Sequence, residues 1–318
     1  MRTILCTLPV EERHKKKLEQ AGEGCRFVYA KEGEATPEQI AEANIILGMP
    51  DPALIKASHK LELLQLNIAG ADKYVKPNVL DKNTILTNST GAYSKAVAEH
   101  GAAVAMMMSK KLHLYRDAQN RHEWADYGTV SSLTDATVLV VGLGDIGRHF
   151  AGIMKALGAY VVGVKRRKSD KPDCVDELYT MEELDNVLPR ADVIFSVLPG
   201  TSATTHLYTA ERFDLMKDSA IFINCGRGAA VENTVLYDAL TSGKIAAASI
   251  DVSEVEPLPP ESPLWGLENL LLTPHVSGYY HLPHTFECIV DIAADNIYRF
   301  LHGQELRNVV DFETGYKK

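Results

Sequence analysis

Residues 138–147, VLVVGLGDIG, constrain this chain more than any other stretch. An apolar run leads directly into Gly142, Gly144 and Gly147. An amphipathic segment follows over 148–157, and a second apolar run covers 160–164. The pattern predicts strand, tight turn, helix and strand. In that setting the first glycine permits the turn and the second lets backbone N–H groups approach a pyrophosphate. The third lets the helix pack close to the strand. The helix N-terminus, at Asp145 and Ile146, then turns its partial positive charge toward the phosphates. Dinucleotide binding follows, on an α/β architecture.

A chain of 318 residues is long for one core and suits two domains. A net charge of −9 argues against a nucleic-acid partner, which needs a basic face. Five scattered cysteines without a CxxC pair read as reduced thiols, pointing to the cytoplasm. The N-terminal apolar run is too short for a signal peptide. The longest apolar stretch, 97–108, contains Glu99 and His100 and is too short to span a membrane. No spacing suggests a metal site.

Before the glycine motif, strands are expected at 2–6, 27–29, 43–47, 63–66 and 85–87. Helices are expected at 11–21, from Pro37 with Thr36 as cap, and at 52–57. This alternation predicts a small parallel-sheet domain of its own. Ala69 and Gly70 follow a strand directly, on the edge where ligands sit in open sheets; on position alone a plain tight turn is the better reading. Residues 94–119 read as one long helix, with Met106, Met107 and Met108 as core filler.

After the second strand of the motif comes Lys165, followed by Arg166, Arg167 and Lys168. An NAD-binding fold usually carries a carboxylate there for the ribose hydroxyl. A carboxylate repels a 2′-phosphate, whereas arginine grips it through two N–H bonds. The run therefore predicts a preference for NADP(H), with NAD(H) still possible. Further strands at 193–197, 220–224, 247–250 and 270–273 bring Leu198 and Pro199, Cys225–Gly226–Arg227, Asp251 and His275 to strand ends. A helix is expected at 181–187 and another at 231–241. Arg227, Glu256 and His275 lie beyond strands on one edge. Arginine can bind a 2-keto acid's carboxylate and polarise its carbonyl, and histidine can protonate the forming alkoxide. A carboxylate beside that histidine can orient it and favour its charged form. Taken singly, each of the three is more often structural.

Together, Asn224–Gly228 (NCGRG), residues 251–259 (DVSEVEPLP), 262–265 (SPLW) and 273–275 (TPH) resemble the D-isomer-specific 2-hydroxyacid dehydrogenases. So do GLGDIG and Ala98–Glu99–His100. The resemblance covers nearly the whole chain. It implies two Rossmann-like domains with parallel sheets and a cleft between them. A flavodoxin-like substrate domain would comprise residues 1–95 plus 285–318, closed by a returning helix at 285–302. The dinucleotide-binding domain would comprise 96–284. It assigns substrate binding and carbonyl polarisation to Arg227, orientation of the catalytic histidine to Glu256, and acid–base catalysis to His275. Asp251 would hold the nicotinamide carboxamide, while Pro199 and Thr204, with Ser277 and Gly278 after the histidine, would line the cofactor. The resemblance reverses the reading of the Ala69–Gly70 turn, whose N–H groups would hold the substrate carboxylate. NADP-type glyoxylate and hydroxypyruvate reductases are the closest branch, and a homodimer is implied. The competing expectations are a cofactor-sensing regulatory protein of the same fold and a formate- or phosphite-type dehydrogenase. Trp265, Tyr279, Tyr280 and His281 are candidates for the far wall of the substrate pocket.

Overall fold

The computed structural model describes residues 1–56, 58–313 and 316–317. The chain divides into two compact units, Met1–Tyr93 with Leu282–Lys318, and Ser94–His281.

The first unit begins with β1 (Thr3–Cys6), α1 (Glu12–Ala21), β2 (Arg26–Tyr29), α2 (Pro37–Glu42), β3 (Ile45–Leu47), α3 (Pro52–Ile55), β4 (Leu63–Gln65) and β5 (Ile85–Thr87). These strands form one parallel sheet in the order β2-β1-β3-β4-β5. The strands β1, β3, β4 and β5 are buried almost throughout, as expected for a parallel sheet covered on both faces. At α2 the Thr36 side chain accepts from Gln39 N, the Gln39 side chain returns to Thr36 N, and Pro37 takes the first turn. The expected helix at 52–57 is observed as α3; Ala57 lies outside the described residues.

The second unit runs α4 (Ser94–Ser109), α5 (Leu112–Asn120), β6 (Thr137–Val141), α6 (Asp145–Ala156), β7 (Tyr160–Lys165), β8 (Glu177–Thr180), α7 (Leu184–Val187), β9 (Val193–Ser196), α8 (Ala210–Leu215), β10 (Ile221–Asn224), α9 (Asn233–Thr241), β11 (Ala247–Ile250) and β12 (Leu270–Leu272). Its seven parallel strands are ordered β12-β11-β10-β9-β6-β7-β8, so chain direction across the sheet reverses between β6 and β9. Helix α6 buries Gly147, Phe150, Ala151 and Met154, an i, i+3, i+4, i+7 stripe, and Phe150 stacks on Phe195 of β9 at 3.9 Å. Helix α4 reaches the same place because residue 101 is glycine. A Cβ there would stand 2.6 Å from the Phe195 ring.

Two expectations are corrected. The helix read over 94–119 is two helices, because Lys111 is left-handed at φ 56° and ends α4. Lys110 and Lys111 both donate to carbonyls of the following arm, at Ser131 (2.7 Å) and Tyr127 (2.6 Å), which offsets the strained backbone. Of the three methionines only Met108 is buried; Met106 is exposed.

The chain returns to the first unit through α10 (Pro283–Leu301), followed by a short antiparallel pair, β13 (Val310–Asp311) and β14 (Tyr316–Lys317). Asn296 sits on the buried stripe of α10. It donates to the Gln65 side chain of β4 (2.7 Å) and to Arg307 O (3.0 Å), and accepts from Arg307 N (2.8 Å). Thr87 of β5 donates to the same Gln65 oxygen at 2.8 Å. Every heteroatom in this buried set has a partner, which is what makes a polar group tolerable there. No helix among the described residues is long and apolar enough to cross a membrane.

Candidate active site

The reversal between β6 and β9 is where an open parallel sheet leaves a crevice at its C-terminal edge. Three glycines shape it. Gly142 has φ +102°, and a Cβ there would lie 2.8 Å from Val197 O; at Gly147 a Cβ would lie 2.4 Å from Gly142 O. Both positions therefore exclude a side chain. Gly144, which caps α6, is different: a Cβ there would meet nothing within 4 Å. The close packing is thus needed for turn and helix, while the middle glycine faces open space, the cradle a dinucleotide pyrophosphate requires. Asp145 and Ile146 open α6 beside it. At the end of β7, Lys165 donates to Ser169 Oγ (2.8 Å), and Arg166 and Arg167 are exposed. In the loop after β9, Leu198 is buried. The Thr204 hydroxyl donates to Pro199 O (2.6 Å) and accepts from Thr201 N (2.9 Å), so it shapes the loop itself.

The next strands bring the acid–base groups to the same edge. Asn224, buried at the end of β10, folds the segment after it. Its Oδ1 accepts from Gly226 N and its Nδ2 donates to Arg227 O, both at 3.1 Å. Gly226 sits against backbone, where a Cβ would be 2.5 Å from Leu198 N. Arg227 Nη1 donates to Gly226 O at 3.0 Å. Cys225 beside it is buried, and burial pushes its thiol well up, so it stays neutral and inert.

Asp251 follows β11 and is also buried. Its oxygens accept from Thr273 Oγ1 (2.6 Å), Val276 N (2.9 Å) and Ser277 N (3.1 Å). Burial raises its pKa, and the bonds from Ser277, Thr273 and Val276 more than offset this, so the carboxyl lies below the ordinary aspartate range. Asp251 thus ties down the loop carrying His275 and Gly278. His275 N donates to Asp251 O at 2.7 Å, and its backbone is left-handed at φ 54°. Its Nδ1 lies 2.8 Å from Glu256 Oε2, while Glu256 Oε1 accepts from Ser253 N at 3.0 Å. With Nδ1 committed to Glu256, Nε2 is the ring nitrogen left available for proton exchange.

In the first unit the Ala69–Gly70 turn follows β4. Asn88 Nδ2 donates to Ala69 O (2.7 Å), Ser89 N donates to Ile68 O (3.0 Å), and Tyr93 OH donates to Asn67 O. The carbonyls of the turn are thereby engaged. Among the described residues the N–H groups of Ala69 and Gly70 have no acceptor. A pocket of about 820 Å³ on the opposite edge of this sheet is lined by Arg2, Glu62 and Tyr298 and shares no residue with these groups. Of the aromatic candidates, Trp265 donates its indole N–H to Pro259 O, and Tyr279 packs on Tyr280 and His281.

Three residues inside the quoted motifs had no role assigned from the sequence. Asn224 read as the end of a strand and the first residue of NCGRG. Gly228 closes that motif, and a Cβ there would lie 1.9 Å from Ser253 O. Ser253 reads as a neutral loop residue, and only the fold shows that its N–H orients Glu256.

Residues 102–277 match the model of the D-isomer specific 2-hydroxyacid dehydrogenase NAD binding domain. Glyoxylate/hydroxypyruvate reductase B of Escherichia fergusonii is 31% identical over 291 residues, 87% of each chain. A D-isomer specific 2-hydroxyacid dehydrogenase from Xanthobacter autotrophicus, solved in complex with NADPH and MES, superposes with a TM-score of 0.84 at 29% identity, covering 99% of both chains. An NADPH-dependent glyoxylate/hydroxypyruvate reductase from Sinorhizobium meliloti, in complex with NADP and sulfate, superposes with a TM-score of 0.85 at 25% identity, covering 99% of this chain and 100% of that one.

Proposed function

The chain belongs to the D-isomer specific 2-hydroxyacid dehydrogenases, and from that premise we propose that it reduces small 2-keto acids of the glyoxylate and hydroxypyruvate kind to D-2-hydroxy acids, preferring NADPH. The observation that carries this reading is the 2.8 Å contact between Glu256 and His275, on the sheet edge that also bears the glycine turn and Arg227.

The glycine turn and the amide end of α6 would hold the cofactor's pyrophosphate, and Lys165, Arg166 and Arg167 would hold its 2′-phosphate. When bound, the nicotinamide supplies the hydride. Arg227 binds the keto acid's carboxylate and draws electron density toward the carbonyl oxygen. His275 gives the Nε2 proton to that oxygen, and Glu256 holds the ring at Nδ1. Holding the reacting groups in one orientation, away from water, supplies much of the acceleration. The Xanthobacter and Sinorhizobium relatives, solved with NADPH and NADP, support the cofactor choice.

The test is one panel: glyoxylate, hydroxypyruvate, pyruvate and branched 2-keto acids, each with NADPH and NADH, on wild type and His275→Ala. The expected result is turnover of the two smallest keto acids with higher kcat/KM for NADPH. His275→Ala should lose most of the rate and keep cofactor affinity. A preference for NADH would end the argument from Lys165, Arg166 and Arg167. Wild-type turnover by His275→Ala would end the assignment of the proton donor.

A further inference from the structure

We propose that Glu254 is a positioning residue for the acid–base pair, acting by pinning the loop 253–256 to the start of α9. The proposal rests on the assignment of His275 as proton donor. Glu256 is held by Ser253 N, so its carboxylate is only as fixed as the Ser253 backbone. Two bonds fix that backbone, and both end on Asn233, the first residue of α9. Glu254 Oε2 accepts from Asn233 N at 3.0 Å, and Ser253 Oγ donates to Asn233 Oδ1 at 3.1 Å. Asn233 N is one of the amides a helix start leaves without an internal partner, and a carboxylate is the favourable acceptor for it.

The other oxygen of Glu254 is also engaged. Its Oε1 lies 3.6 Å from His206 Nε2, and His206 Nδ1 lies 3.0 Å from Glu232 Oε1. His206 has a left-handed backbone, φ 51°, and its N–H donates to Ala229 O at 2.7 Å. Three segments therefore meet at Glu254: the loop after β9, the turn leading into α9, and the loop bearing Glu256. From Asn233 the connection runs through Ser253 and Glu256 to His275, with every step a hydrogen bond. Glu254 touches none of the groups assigned to substrate. Its effect must therefore pass through the placement of Glu256, which separates it from Arg227 and from the glycine turn.

The test compares Glu254→Ala, Glu254→Gln and Asn233→Pro by steady-state keto-acid reduction with NADPH. Glu254→Ala should lower kcat by about tenfold or more and leave both KM values within about twofold, because orientation and not binding is lost. Glu254→Gln still presents an oxygen to Asn233 N and should restore kcat to within about threefold of wild type. Asn233→Pro removes both anchors without touching Glu254. The first helical position accepts proline, and Glu232 before it already has the extended backbone proline needs, φ −69° and ψ 137°. It should reproduce the loss seen in Glu254→Ala. In a Glu256→Gln background, Glu254→Ala should cost less than about twofold more, since the two act on one step. Wild-type kcat in Glu254→Ala and Asn233→Pro, or a loss undiminished in the Glu256→Gln background, overturns the proposal. If His275→Ala is inactive while those two variants are normal, this proposal alone fails. If His275→Ala is fully active, the reading beneath it fails.

Discussion

Replacing Gly228 with alanine tests the geometry of the acid–base pair without altering any group that does chemistry. The added Cβ would stand 1.9 Å from Ser253 O, 2.0 Å from Ser253 C and 2.6 Å from Glu254 N, all of them backbone atoms. No rotamer relieves such a contact. For the spacing to reach an ordinary 3.4 Å, the loop must retreat by about 1.5 Å. Ser253 N is the donor that orients Glu256, and Glu256 sits 2.8 Å from His275. A shift of that size takes the pair beyond hydrogen-bonding range. Overpacking of this kind costs about 1–3 kcal/mol, and a unit of this size loses about 2–4 °C in Tm for each kcal/mol. A misplacement near 1 Å at a catalytic group costs about a hundredfold in rate. Gly228→Ala should therefore melt a few degrees lower and retain NADPH affinity within a few fold by fluorescence titration. Its kcat should fall by about a hundredfold in the absorbance assay. A folded variant with kcat within about threefold of wild type would refute the claim that this backbone contact sets the Glu256–His275 distance.

Two further predictions concern stability. Asp251 has a depressed pKa in the folded chain, so its contribution is complete above the ordinary aspartate value of about 3.9 and fades as pH falls through the folded value. Urea titrations should show Asp251→Asn less stable than wild type by about 1–3 kcal/mol at neutral pH, with the gap closing below about pH 4; a pH-independent gap would show that charge is not the cause. Asn296→Leu strands the Arg307 backbone groups and leaves the Gln65 oxygen with Thr87 alone, and should cost the first unit about 2–4 kcal/mol. Calorimetry should show one transition moving down and the other staying in place, and equal movement of both would argue that the bonds do not belong to one unit.

Both parallel sheets were legible because buried strands read as short apolar runs with glycine or proline at their ends. Thr36 and Pro37 announced α2 for the same local reason. What escaped was decided by distant partners. The break at Lys111 has neither glycine nor proline to mark it, and is held by carbonyls 16 and 21 residues further on. Strand β8, ELYT, lies at the sheet edge with half-exposed side chains and carries no apolar run. At the site, Arg227, Glu256 and His275 could be named from residue type and position past a strand. The contact that sets Glu256, between Gly228 and the Ser253 peptide, is backbone on backbone and leaves almost no trace in residue type. For Asp251 the resemblance implies a hold on the nicotinamide carboxamide, but its bonds within the unit, to Thr273 and the loop of His275, have no signature in the sequence.

The Gln65–Asn296 bond also fixes the order in which the chain becomes whole. Gln65 leaves the ribosome more than two hundred residues before Asn296, its partner on α10. Everything in Ser94–His281 emerges in between. The inserted unit therefore has all its strands available while the first sheet still waits for α10, and until then the Gln65 oxygen has Thr87 but not Asn296. The first unit therefore cannot be complete until after the whole of the inserted unit has been synthesised. The early-made segment is the one exposed longest to non-native pairing, and α10 is the element whose arrival ends that exposure.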